Sequence, residues 1–256
     1  MSDTVLWELD DSIGILTLNR PGQLNAMNHQ LLEDFASLLE VYATAEDVRG
    51  VIITGAGDRA FAAGADLTVM KDFDEDEARE WSLLGQRAFS AVEDLPKPVI
   101  AGINGFALGG GCELALACDL RIASKEAVLA QPEVTLGIPP GFGASYRLAR
   151  VVGEGRAREL LLTGRQVDAQ AAHEIGLVSE VVEGDDLMET ALDRARQLAA
   201  HGPAAVGLVK ELLQRGPGLH REEAAQLEAS SFARAYRTGE PCEGMSAFLE
   251  KRKPDF

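Results

Sequence analysis

Asn104-Gly105-Phe106-Ala107-Leu108-Gly109-Gly110-Gly111-Cys112-Glu113-Leu114-Ala115-Leu116-Ala117-Cys118-Asp119 is the stretch around which the chain is organised. Three glycines run straight into an apolar Ala/Leu segment that reads as a helix. The first amides of a helix have no intrahelical partner, and the helix dipole adds positive character there. Such a turn stabilises negative charge, whether bound or developing in a reaction. Glu113 is the one charge in the apolar run before Asp119. A carboxylate in that position is either costly or useful.

Upstream, Val99-Ile100-Ala101-Gly102 reads as a strand buried on both faces. Val51-Ile52-Ile53-Thr54-Gly55 reads the same way and leads to Phe61-Ala62-Ala63-Gly64-Ala65-Asp66-Leu67. The two passages echo each other: strand, turn, then small residues entering a helix. This predicts successive strand–helix units stacked side by side. The small residues permit close approach of a ligand or another backbone. Asp66 reads first as the N-cap of the next short helix.

At the N-terminal end, the segments Val5, Trp7, Leu9 and Ile13–Leu18 flank Asp10-Asp11-Ser12 as an antiparallel hairpin. Asn28 is placed to cap a helix carrying Leu31, Leu32, Phe35, Leu38, Leu39 and Tyr42. Residues 72–80 are an acid-rich segment that reads as a solvated helix start or a mobile rim, with a longer helix over residues 78–92. Downstream, short strands are expected at residues 120–123 and 127–130. An irregular, rigid loop follows, Gln131-Pro132-Glu133-Val134-Thr135-Leu136-Gly137-Ile138-Pro139-Pro140-Gly141-Phe142-Gly143. From residue 186 the pattern is helical, broken at Gly202-Pro203 and Gly216-Pro217-Gly218.

The 256 residues, 46% of them hydrophobic, suffice for one sizeable core without disulfides or metal. Three cysteines without C-x-x-C spacing point to a reduced compartment, and Met1-Ser2-Asp3-Thr4 lacks the pattern of a signal peptide. No apolar run reaches membrane-spanning length, so the cytoplasm is the expected location. A net charge of −17 argues against nucleic acid or an anionic membrane as partner. The P-loop, nucleophile-elbow and zincin motifs are absent, and His29, His173, His201 and His220 are scattered. The residues give no metal site.

Four segments carry a resemblance: Phe61-Ala62-Ala63-Gly64-Ala65-Asp66; the run from Lys97-Pro98-Val99 to Gly111-Cys112-Glu113; Gln131-Pro132-Glu133 with Leu136-Gly137; and Gly244-Met245-Ser246-Ala247-Phe248-Leu249-Glu250-Lys251-Arg252-Lys253 near the end. By these the chain resembles the crotonase, or enoyl-CoA hydratase/isomerase, family over essentially its whole length. The resemblance implies an α/β fold, a spiral of ββα units over residues 1–195 carrying the acyl-CoA site. It implies a helical C-terminal region, residues 196–256, that drives assembly of a homotrimer or a dimer of trimers.

It also implies a reaction, the reversible hydration of a 2-trans-enoyl-CoA to a 3-hydroxyacyl-CoA. Coenzyme A is then part of the substrate, with no metal or redox cofactor. Adding a nucleophile at C3 puts charge on the thioester oxygen, which two backbone amides can hold. By resemblance these are the amides of Ala65 and Gly110. Glu113 and Glu133 match the hydratase glutamates, Glu113 to deprotonate water and Glu133 to protonate C2. Ala26, Ala63, Ala65, Asp66, Leu67, Gly109 and Gly110 are the implied substrate and CoA contacts. Leu67, Met70 and Trp81 read equally as acyl-pocket wall or as core.

Alternatives on the same fold are enoyl-CoA isomerisation, dehydration of another hydroxyacyl-CoA, decarboxylation, or a silent CoA-binding scaffold. The intact pair of glutamates favours hydration. Two departures from the family stand out. Gly22-Gln23 follows Arg20-Pro21 where hydratases often carry a lysine near the CoA phosphates. Gly143-Ala144-Ser145-Tyr146 replaces the usual Gly-Gly-Thr-Gln, after a loop that Pro139-Pro140 stiffens.

Overall fold

The computed structural model describes residues 4–256; Met1, Ser2 and Asp3, on which the reading of the N-terminus partly rests, lie outside the described residues. Strands β1 (Val5–Asp10) and β2 (Ile13–Leu18) form the expected hairpin around Asp11-Ser12. Asp11 adopts φ 54, a left-handed state that a short acidic side chain tolerates. The apolar face expected of β1 is only partly covered. Val5 is buried, but Trp7 is 47% and Leu9 39% exposed, because β1 is an edge strand of its sheet. Helix α1 (His29–Thr44) starts as expected, with the Asn28 side chain accepting from the Leu31 amide at 2.9 Å.

The chain then repeats one unit. In each, a first strand enters a large sheet and a second, shorter strand enters a small one. The first unit is β3 (Gly50–Gly55) and β4 (Ala60–Ala62), followed by α2 (Leu67–Met70) and α3 (Glu75–Asp94). The second is β5 (Val99–Ile103), β6 (Phe106–Leu108) and α4 (Gly110–Ala117). The third is β7 (Leu120–Ser124) and β8 (Val128–Ala130), followed by α5 (Ala144–Val152) and α6 (Glu154–Thr163). Next come β9 (Val167–Asp168), α7 (Ala169–Glu174) and β10 (Glu180–Val182). The large sheet has the order β1-β2-β3-β5-β7-β10 and the small one β4-β6-β8-β9. From β2 to β10 the large sheet is parallel.

Parallel strands covered on both faces must be apolar on both. One face of the large sheet meets α8 (Leu187–Ala199), where Ile13, Ile52, Ile100 and Ile122 pack on Leu187, Ala191 and Ala195. The i, i+4 spacing of those three puts them on one stripe. Helix α8 therefore runs across the division expected at residues 195/196. The other face, with Leu16, Ile53, Val99 and Ala101, packs in the main core with residues of α1, α3 and α4.

Helices α9 (Pro203–Arg215), α10 (Arg221–Ala235) and α11 (Glu240–Glu250) complete the chain. Lys210 ties α9 to the core, 2.8 Å from both the Asp119 carboxylate and the Lys97 carbonyl. Arg49 donates to the carbonyls of Ala199, His201 and Phe256. Among the described residues no helix is long and apolar enough to cross a membrane.

Candidate active site

Strands β4, β6 and β8 lie parallel and side by side, with Ala62 opposite Ala107 and Leu108 opposite Ala130. Their carboxyl ends therefore open at one edge of the small sheet, the usual place for a site in parallel sheets. Residues 63–66 leave β4 there, Gly109 and Gly110 leave β6, and Gln131-Pro132-Glu133 leaves β8. Three stretches far apart in sequence become neighbours by strand register alone.

The amides of Ala65 and Gly110 approach each other. A methyl built on the Gly110 Cα would lie 3.5 Å from the Ala65 nitrogen, and one on Gly64 would lie 3.7 Å from the Gly110 nitrogen. Gly110 opens α4, so its N–H has no intrahelical acceptor. The Met27–Ala65 bridge uses the Gly64 carbonyl and the Asp66 amide, leaving the Ala65 N–H outside the ladder. Among the described residues neither amide meets an acceptor.

Glu113 sits one turn into α4 and is 1% exposed. Its Oε1 accepts from the Phe142 and Ala144 amides, both at 2.9 Å. Oε2 has no partner among the described residues. Burial pushes the Glu113 carboxyl up to about 7, and the like charge of Glu133 adds to this. The two amides and the Arg147 guanidinium pull the other way.

Glu133 begins the 3-10 turn Glu133–Leu136 and is largely buried. Burial raises its pKa too. With the Gln131 amide turned so that its nitrogen faces Glu133, it donates to both carboxylate oxygens, at 3.0 and 3.2 Å. Gly109 adopts φ 50, and a Cβ on it would fall 2.9 Å from Glu133 Oε1. A side chain there would meet both backbone strain and the carboxylate.

Both glutamates line one cavity of about 310 Å³, at the lower end of the range for small-molecule sites. Ala63, Ala65, Leu67, Gly109 and Gly110 border it, as do Met70 and Trp81; Trp81 is at the same time part of the buried core. Ala26 and Asp66 stand beside the cavity and not on its wall. Arg20 pairs with Asp66 at 3.0 Å and donates to the Ala26 carbonyl. Asp66 also caps α2, as its sequence position predicts, accepting from the Thr68 amide. Gly22 and Gln23 are exposed in the turn Pro21–Gln23. Pro139 and Pro140 border the cavity, and Ser82 and Gln86 of α3 hold the Gly141 carbonyl.

Burial pushes the Cys112 and Cys118 thiols up to about 12, so both are protonated and unreactive at neutral pH. Among the described residues no three His, Cys, Asp or Glu side chains converge to hold a metal ion.

A sequence profile of the enoyl-CoA hydratase/isomerase family matches residues 8–256. The chain belongs to that family. It is 43% identical to the short-chain-enoyl-CoA hydratase of Clostridium acetobutylicum, over 98% of this chain and 96% of that one. It is 42% identical to the crotonyl-CoA hydratase of Syntrophomonas wolfei, over 99% and 98%. A crystal structure of an enoyl-CoA hydratase from Bacillus anthracis superposes with a TM-score of 0.95 at 41% identity, covering 99% and 98% of the two chains. The two-sheet spiral described above is thus the crotonase fold.

Within this enoyl-CoA hydratase/isomerase framework, three contributors to the site escape sequence reading. Gln131 braces Glu133, the Phe142 and Ala144 amides grip Glu113, and Arg147 donates to the Phe142 carbonyl at 2.6 Å. Gln131 had a signal, being two residues from Glu133. Phe142 and Ala144 act through backbone amides, which carry no residue type to read, and Arg147 reaches the site only through the Phe142 carbonyl.

Proposed function

We propose that this protein is an enoyl-CoA hydratase, adding water reversibly across the 2-trans double bond of an enoyl-CoA. The observation that carries the reading is the meeting of two carboxyls and two unpaired amides on one cavity. The thioester oxygen lies between the Ala65 and Gly110 amides. Glu113 Oε2 takes a proton from water as the water oxygen bonds to C3. The C2=C3 electron pair moves toward the thioester, and the enolate oxygen is held by the two amides. Glu133 then delivers a proton to C2, and exchange with solvent restores the pair. Losing one such amide typically costs about 2.7–4 kcal/mol of transition-state stabilisation.

Isomerisation moves a proton between two carbons and adds no water. The second buried carboxyl, with Glu113 anchored to point one oxygen at the cavity, supports hydration instead. Coenzyme A enters as part of the substrate, and the steps above call on no metal or redox cofactor. We place the enzyme in the cytoplasm, in fatty-acid β-oxidation chemistry. We assign it a trimer or dimer of trimers, built through residues 196–256. That assembly is supported by the exposed apolar side chains of α9–α11, Leu213, Phe232, Phe248 and Leu249 among them.

The test is loss of the ultraviolet absorbance of crotonyl-CoA. Wild type consumes the conjugated thioester rapidly, while folded Glu113→Ala and Glu133→Ala do not. A folded wild type that binds CoA without turnover would overturn the hydratase reading.

A further inference from the structure

We propose that Arg147 is a positioning residue for Glu113, fixing through the backbone of residues 142–144 the direction in which Glu113 presents its free oxygen. The inference rests on the hydratase reading for its consequence in turnover and on geometry for its origin. Ala144 is the first residue of α5 and Arg147 lies one turn further on. Helical side chains lean toward the N-terminus, so Arg147 reaches back over the turn it follows. Its Nη1 donates to the Phe142 carbonyl at 2.6 Å, and its Nη2 meets Glu93 Oε2 of α3 at 2.5 Å. The Phe142 residue is thereby held at both polar atoms, its carbonyl by Arg147 and its amide by Glu113 Oε1. A Cβ on Gly143 would come within 2.2 Å of Nη1, so the guanidinium fills the space beside the loop.

Arg147 is 2% exposed, and its Nε has no partner among the described residues. A buried ion pair is weak support for stability, since apolar residues of similar volume often replace one without loss. A fork that meets one carbonyl and one carboxylate, by contrast, fixes two elements in a single orientation. Here those elements are α3 and the loop that grips Glu113. The charged and titratable groups around Glu113 are Glu133 after β8, Arg147 and Tyr146 on α5, and Cys112 on α4 itself. Behind Arg147 stand Glu93 and, through Cys118, Asp119, Arg121 and Lys210. Arg150 stacks over Tyr146 at 5.7 Å.

The experiment compares wild type with Arg147→Met, Arg147→Lys and Glu93→Gln, all in the full chain. It reads kcat, KM and the pH profile with crotonyl-CoA, and titrates Glu113 by carbon NMR of 13C-glutamate protein, assigned with Glu113→Gln. Arg147→Met is expected to lower kcat by up to about 100-fold, the scale of a small misplacement, with little change in KM. Both limbs of its pH profile and the Glu113 titration move to higher pH, because a cation near the carboxylate is gone. Arg147→Lys keeps the charge and loses the fork, so kcat falls while the limbs stay near those of wild type. Glu93→Gln leaves the guanidinium uncompensated and moves the Glu113 titration to lower pH.

Unchanged kcat and limbs in folded Arg147→Met would overturn the proposal. So would a loss of activity that tracks thermal stability with the Glu113 titration unmoved. If Arg147→Met does not fold, the other two variants decide the matter: Arg147→Lys must lower kcat with its limbs unmoved, and Glu93→Gln must move the Glu113 titration to lower pH. An inactive wild type whose Glu113 titration still responds to these variants would remove the hydratase reading and keep the positioning role.

Discussion

At the scale of single residues, Glu113 carries a cost that its chemistry requires. Its carboxyl titrates at about 7 in the fold against an ordinary 4.5, with burial the main cause. A raised carboxyl is neutral, and harmless to stability, below pH 4.5. As the pH climbs through 7 the folded state must ionise it, and that stability is lost. At about 1.36 kcal/mol per pH unit, the loss approaches about 3 kcal/mol above pH 7. Glu113→Gln keeps an oxygen for the Phe142 and Ala144 amides and cannot ionise. It is therefore expected to melt at the same temperature as wild type near pH 4, and several degrees higher at pH 8, while losing hydration activity. Equal melting shifts at both pH values would contradict this. In the proposed reaction the same pair sets the rate profile. Hydration needs one ionised and one protonated carboxyl, and two coupled groups lose their protons in two steps that belong to the pair. The wild-type kcat/KM profile is expected to be bell-shaped, with its upper limb near 7, where the shared proton leaves. A plateau up to pH 9 would separate the glutamates from the rate. Glu113 was legible in sequence because one charge in an apolar helix is conspicuous. Glu133, an acid in a Pro/Gly loop, became legible only through the family resemblance. Arg147 and the amides of residues 142 and 144 were not legible, since partners 29 and 31 residues from Glu113 leave no local spacing.

At the scale of elements, α3 and the loop over residues 139–143 form the wall that carries the Glu113 amides. Gly85 in α3 faces the Phe142 ring, and a Cβ there would lie 2.3 Å from Phe142 Cδ1. The ring is already packed edge-on against Trp81 and Phe89, both at 5.5 Å, so it has little room to retreat. Gly85→Ala is expected to cost about 1–3 kcal/mol, as overpacking does, and to lower kcat by dragging the Phe142 amide off Glu113. Gly155→Ala in α6 is the control, because a Cβ there meets nothing within 4 Å. It is expected to stabilise by about 0.4–1 kcal/mol with kcat unchanged. Melting curves with crotonyl-CoA assays on both variants check this, and an active Gly85→Ala would sink the coupling. Helices α1 and α3 were readable because their periodicity spans several turns, and strands β3 and β5 because five or six residues in a row are small or apolar with β-branched members. Three-residue strands such as Ala60–Ala62 and Phe106–Leu108 have no period to read, and their partners are far away in sequence. The sequence echo thus predicted repeating units, but not that each divides its strands between two sheets.

At the scale of the whole molecule, two opposing features meet. Each chain carries −17, which repels its copies over about a Debye length, near 10 Å at 0.1 M salt. Against this, the C-terminal helices expose large apolar side chains, Leu213 70%, Phe232 67%, Phe248 83% and Leu249 79%. Large apolar side chains exposed to that extent support the proposed assembly through these helices. Apolar burial is not screened, whereas the repulsion is, so salt should favour assembly. The expected result by sedimentation is a species of several times the 27.4 kDa chain mass at 0.1 M salt and above, loosening as salt is withdrawn. Phe232→Asp combined with Phe248→Asp replaces two of these exposed apolar side chains by charges and is expected to release the 27.4 kDa chain at any salt concentration. Both positions lie far from the cavity in sequence and are absent from its wall. Any fall in activity of the released chain would therefore come through assembly, by way of Lys210 and Arg49, which anchor the C-terminal helices to the core. A wild type that sediments as a single chain would reverse the argument, and the exposed face would then need a different partner.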